Sequence, residues 1–146
     1  WPLLVVTVII VSLLIVLGFL FVKRVNTIVY KNAIIGQQVF DLELADTKEA
    51  RVKGLSERDN LAPNKGMLFD FKENSNPQMH MLQMRFPIDI AWIDENYKIV
   101  YIKNNAVPAE YPDVYYAPTQ SRFVIEVPAG TFEKLGVKQG DSVKIN

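Results

Sequence analysis

Residues 3–22 hold 17 Leu, Ile, Val or Phe in 20 positions, broken only by Thr7, Ser12 and Gly18, and no charged residue precedes Lys23. A helix of that length matches the ~30 Å hydrocarbon core of a bilayer at ~1.5 Å rise per residue. Seventeen such side chains favour insertion by about 5–10 kcal/mol as an upper figure. A buried core helix is the first rival, but the rest of the chain is too small to cover such a helix on all sides. A cleaved signal peptide is the second. Its apolar stretch should be ~7–15 residues and end at a small-x-small site, whereas this one runs into Val22-Lys23-Arg24. The sequence therefore predicts a single-pass transmembrane helix over 1–22, a juxtamembrane linker over 23–38 and one folded domain over 39–146.

All 16 basic and 16 acidic residues lie beyond the apolar run, and the net charge is zero. No basic surplus is present to meet phosphate backbones, so nucleic acid is not an expected partner. Cysteine is absent and histidine occurs once, as His80. Disulfides, thiolate sites and His-rich metal sites are excluded, and no metal or other cofactor is expected.

Beyond residue 38 the patterning has a period of two. Phe40-Asp41-Leu42-Glu43-Leu44 alternates as a half-buried strand. Asp46 or Thr47 caps a short helix reaching about Leu55, closed by Gly54 and the loop 60–66. Further strands are predicted at 66–71, 78–82, 88–93, 98–103, 123–127 and 142–145, with helical turns at 131–135. Asp94-Glu95-Asn96 forms a tight hairpin. Residues 104–121 lack periodicity and hold Pro108, Pro112 and Pro118 with Tyr111, Tyr115 and Tyr116, which predicts a long loop. The fold class is mainly β (α+β): a small closed or partly closed β-barrel-like domain with one or two short helices.

The ordered motifs of this region resemble those of the bacterial and archaeal domain of unknown function 192. Thr47, Glu49, Arg51, Gly54, Leu55, Arg58 and Leu61, then Gly66-Met67-Leu68-Phe69, match its first block. Met79 to Asp94, including Met84-Arg85-Phe86-Pro87-Ile88-Asp89-Ile90, matches its second. Val124-Ile125-Glu126, Gly130 and Gly140-Asp141 match its third. His80 stands where tryptophan is usual, Leu82 where lysine is usual and Ser56 where methionine is usual. The resemblance implies a small barrel-like domain behind a signal or anchor segment, outside the cytoplasm, with no settled activity. Lys23, Arg24 and Lys31 argue the other way by the positive-inside tendency; the extracytoplasmic orientation is the expectation taken forward.

Arg58, Arg85, Asp89 and Glu126 form the most suggestive polar set. Asp89 lies between Ile88 and Ile90, and Glu126 between Ile125 and Val127. If Asp89 is buried it needs a partner, and Arg58 is the candidate through a bidentate pair. Asp89 and Glu126 can be read as structural ion pairs, as ligand contacts, or as the general acid and base of a hydrolase. The last reading requires both carboxyls in one cleft. His80 is read as a satisfied or surface strand residue rather than an acid–base group, and Met67, Met79, Met81 and Met84 as core filler rather than a thioether metal site. Tyr111, Tyr115 and Tyr116 are candidates for a recognition loop. No nucleophile elbow, phosphate loop or zinc signature is present. The expected function is a non-catalytic binding or accessory module of the cell envelope, with a glycan, peptide or membrane protein as partner. A carboxylate-pair hydrolase and a purely structural domain are the alternatives.

Overall fold

The computed structural model describes residues 1–20 and 27–146, with side chains described outside 15–26. Helix α1 covers Pro2–Leu20, and its described side chains through Leu14 are all exposed. Among the described residues, no helix is long and apolar enough to cross a membrane. Residues 21–22 of the expected span, and 23–26 of the expected linker, lie outside the described residues.

The sheet begins inside the stretch expected to be linker. β1 (Tyr30–Ile35) pairs antiparallel with β2 (Gln38–Ala45), turning at Gly36 with φ +61°. Ala33 and Ile35 of β1 are buried in the main core, so 30–38 is folded domain and not linker. Helix α2 (Lys48–Lys53) is capped by Thr47, whose hydroxyl accepts from the Ala50 amide at 3.1 Å. It carries the chain to β3 (Lys65–Ser75), which runs parallel to β2. Then follow β4 (Met79–His80), β5 (Ile88–Ile93), β6 (Ile99–Ala106), a 3-10 turn (Pro108–Glu110), β7 (Val114–Tyr115), β8 (Ser121–Pro128), α3 (Thr131–Leu135) and β9 (Val143–Ile145).

Seven strands form one sheet in the order β6-β5-β8-β3-β2-β1-β9. Its two edges meet at a single bridge, Lys98 to Ser142, reinforced by the Ile99 amide donating to the Asp141 carbonyl at 2.9 Å. The sheet is therefore curled into a partly closed barrel. Closure leaves two apolar layers. The inner layer draws Ile35, Phe40, Leu42, Ile93, Ile125 and Val143 from all parts of the sheet, and α3 adds Phe132. The outer layer centres on β3, β5 and β8 and reaches β6, with Phe69, Ile90, Trp92 and Val124 lying under Leu55, Met79 and Met81. β5 is buried on both faces for this reason.

Two further expectations change. β3 continues past the expected strand end at 71 to Ser75, with an irregularity after Asp70. The 104–121 segment is not a free loop: β6 extends to Ala106, and β7 pairs with β4 as a two-stranded ribbon over the outer layer.

Candidate functional site

Strand β8 sends Phe123, Ile125 and Val127 into the barrel, so Val124 and Glu126 face the outer layer. Glu126 lies opposite Met67 on β3 and Ile90 on β5. It is 4% exposed. Among the described residues, its carboxyl has no hydrogen-bond partner, and burial pushes its pKa up to about 8 against an opposing pull from Arg58. An unpaired buried carboxyl is costly when ionised, so it takes up a proton instead.

That carboxyl lines a cleft of about 260 Å³. Leu55, Phe69, Phe71, Met79 and Met84 supply apolar walls, while Lys48, Arg51 and Lys53 from α2 and His80 from β4 supply the polar lining. The position of α2 sets this arrangement. Arg51 donates to the backbone carbonyls of Asp46 (2.9 Å) and Asp70 (3.0 Å) and lies over the Phe71 ring, which ties the helix to β3. Gly54 follows with φ +48° and sits against Phe69, where a side chain is strained. The turn after β4 is fastened to α2 by Ser56 Oγ donating to the Leu82 carbonyl (2.9 Å) and the Glu57 amide donating to the Gln83 carbonyl (2.8 Å). Glu57 and Gln83 both hold positive φ. Parts of all three sequence blocks thus meet around Glu126. A second cleft, about 740 Å³, lies on the other side of α2 against Glu43, Arg58 and Met67.

The remaining expected residues separate. Arg58 does not pair with Asp89. Its guanidinium grips Glu43 in a bidentate pair at 2.5 and 2.7 Å, and that hydrogen bonding raises its pKa further. Asp89 is fully buried, as one alternative required, but its partners are backbone amides: Asn105 at 2.9 Å and Phe132 at 3.1 Å. Gly130 offers α3 no side-chain cap, and Asp89 replaces it from another strand. The register places Asp89 beside Val127 and Ile90 beside Glu126. Directly paired residues share a face, so the two carboxyls point to opposite sides of the sheet. They cannot act on one substrate as an acid–base pair, and the carboxylate-pair hydrolase is set aside.

Arg85 pairs with Asp59 at 2.5 Å on the surface, where both are largely exposed and such pairs contribute little. The tyrosines divide as well. Tyr111 and Tyr116 are exposed, whereas Tyr115 donates to Glu110 Oε2 at 2.5 Å and lies under Lys103 Nζ. Glu110 also accepts from Lys103 (2.9 Å) and the Val107 amide (3.0 Å). These donors, Tyr115 foremost, hold its carboxyl down at about 2. Tyr115 fixes the loop, leaving only the other two tyrosines for recognition. His80 is exposed, accepts from the Leu82 amide at 3.3 Å and meets Tyr111 edge-on. The four methionines are buried in the outer layer. Among the described residues, no group of three His, Cys, Asp or Glu side chains is placed to hold a metal ion. Lys48 and Lys53 were not singled out from sequence. Glu126 was, and its signal was a lone acid inside a continuous apolar strand.

The family model for DUF192, described as Uncharacterized ACR, matches residues 13–145. A UPF0127 protein of Thermococcus gammatolerans is 32% identical over 104 residues, covering 70% of this chain and 64% of its own length. The chain thus spans less than two thirds of the curated archaeal relatives it matches. A crystal structure of a protein of unknown function from Novosphingobium aromaticivorans superposes with TM-score 0.74 at 30% identity, over 84% of this chain and 90% of that one. A Sinorhizobium meliloti protein described as a candidate transcription regulator gives TM-score 0.73 at 32% identity, over 80% and 92%.

Proposed function

The chain belongs to the DUF192 family, and we propose that its barrel domain is a binding module that holds a small molecule in the cleft over Glu126. The observation that carries this reading is the unpartnered, buried carboxyl at an opening with apolar walls. Perturbed groups of this kind concentrate at functional sites, and small-molecule sites combine apolar walls with a few polar groups. At about 260 Å³ the cleft lies just below the ~300–1,000 Å³ range of sites for drug-sized ligands. It suits a small molecule better than an extended glycan or peptide. The transcription-regulator description of the Sinorhizobium relative is not carried over, because 16 basic residues are balanced by 16 acidic ones.

The test is a fragment titration of the full chain in non-ionic micelles, read at the Glu126 carboxyl carbon and the Met79 and Met84 methyls by NMR. Fragments that bind shift these signals together. If a broad panel moves none of them, the cleft is not a ligand site and the reading falls.

The module is further proposed to sit at a membrane, facing out of the cytoplasm, with α1 as its attachment. Support comes from the exposed apolar side chains of α1, among them Leu3, Leu4, Val8 and Leu13, and from the family resemblance. A reporter fused after Asn146 tests this. Alkaline phosphatase activity is expected; fluorescence from a protein that matures only in the cytosol refutes the orientation.

A further inference from the structure

The charge layout of the cleft carries a statement about ligand class, resting on the reading of this cleft as a ligand site. Three cationic side chains, Lys48, Arg51 and Lys53, line it from α2, and Glu126 is its one carboxylic acid. Lys48 and Lys53 are exposed whereas Glu126 is buried, so these two cations stand toward the mouth. Leu55, Phe69, Met79 and Met84 supply apolar lining in the same cleft. The charged or titratable groups around the cleft are Arg58 after α2, paired with Glu43 of β2; Lys48, Arg51 and Lys53 of α2, the last paired with exposed Glu57 at 3.2 Å; and His80 of β4. The facing positions on β3 and β5 are Met67, Phe69, Ile88 and Ile90, all uncharged.

We infer that the cleft binds a small organic anion, its negative group held at the mouth by Lys48 and Lys53 and an inner oxygen accepting a hydrogen bond from the Glu126 carboxyl. A cationic ligand is disfavoured twice. It must pass the α2 cations, and it pairs well only with an ionised Glu126, which burial opposes. An anion is drawn in by the same cations. A protonated carboxyl is a donor and needs an acceptor opposite it. An apolar middle then lies against Phe69 and the methionines.

Calorimetry of the full chain in non-ionic micelles with 4-oxopentanoate and with pentylamine, from pH 7 to 9.5, separates the possibilities. The keto acid is expected to bind at pH 7 and to weaken about tenfold by pH 9, as the acid midpoint near 8 is crossed. Glu126→Gln keeps a donor, so binding persists while its pH dependence disappears. Replacing Lys48 and Lys53 together with Met weakens binding by about fivefold or more at low salt. Pentylamine binding that strengthens over the same interval overturns the anion assignment and leaves the ligand site standing. Loss of the pH dependence in the parent chain also overturns it. No binding by either probe, or by a wider panel of monocarboxylates and amines, removes the ligand site itself.

Discussion

Replacing Glu126 with Gln should make the protein more stable, and the gain should depend on pH in a defined way. In the unfolded chain this carboxyl titrates in the ordinary range near 4.5, and in the folded protein at about 8. Below pH 4.5 both states are protonated and the carboxyl contributes no slope. Between 4.5 and 8 the unfolded chain has released the proton that the folded protein retains. The native state then binds more protons, so stability falls as pH rises. The slope is about 1.4 kcal/mol per pH unit, and the loss reaches about 5 kcal/mol by pH 9. That is a large part of the 5–15 kcal/mol typical of a whole domain.

Glutamine is also buried and polar, but its cost does not change with pH. The assay is urea unfolding of parent and variant at half-unit steps from pH 4.5 to 9.5, in one detergent at one concentration. Titrations elsewhere cancel in the difference. The two proteins should agree within ~1 kcal/mol at pH 4.5, diverge steadily and level off above pH 8 with the variant ahead. A difference that stays flat across the range refutes the argument, because it means that Glu126 is solvated or paired.

Three other outcomes follow from the geometry. Asp89→Ala leaves the buried amides of Asn105 and Phe132 without an acceptor, so chemical denaturation should report a loss of about 2–5 kcal/mol, with α3 amides exchanging fastest. Gly66→Ala places a Cβ at 2.3 Å from the Glu126 carbonyl oxygen and 2.7 Å from Leu42. This forces β3 away from β8, and a thermal melt should show destabilisation of about 1–3 kcal/mol or more. Glu110 has a depressed pKa, so its stabilising bonds are present above 4.5 and lost as pH falls toward about 2. Hydrogen exchange at Val107 and Tyr115 should accelerate over that interval, and Glu110→Gln should remove the acceleration.

Alternation alone located most of the strands, since Phe40, Leu42 and Ile125 repeat with the pleat that buries them. It failed where other signals overlaid it. β1 reads Tyr-Lys-Asn-Ala-Ile-Ile next to the apolar run, and its two polar residues resemble a linker until pairing with β2 shows Ala33 and Ile35 facing the core. β7 is two residues long, too short for any period to register, and β4 keeps only two residues of the strand expected over 78–82. Glu126 and Asp89 were legible as notable acids, but their partners were not. Asp89 is satisfied by amides 16 and 43 residues away, and main-chain donors leave no trace in side-chain identity. Arg58 found Glu43 rather than Asp89 because the latter faces the barrel interior. Only the register of β5 against β8 decides that, and a shift by one residue would reverse it.

The two acids show how neighbouring positions on one sheet come to opposite ends. Both sit between aliphatic residues, and both are buried within one step of each other in the β5–β8 register. On the inner face, the bare N-terminus of α3 and the irregular end of β6 against β5 present amides that hold Asp89 in place. On the outer face, β3 and β5 present Met67 and Ile90, and the nearest cation is already committed to Glu43. Among the described residues no side chain hydrogen-bonds the Glu126 carboxyl, and this is the ground for proposing that a ligand reaches it through the cleft. A substitution that stabilises the empty domain and abolishes the pH dependence of binding would tie both effects to the same atoms. One that stabilises without touching binding would show the carboxyl to be a burden of packing alone.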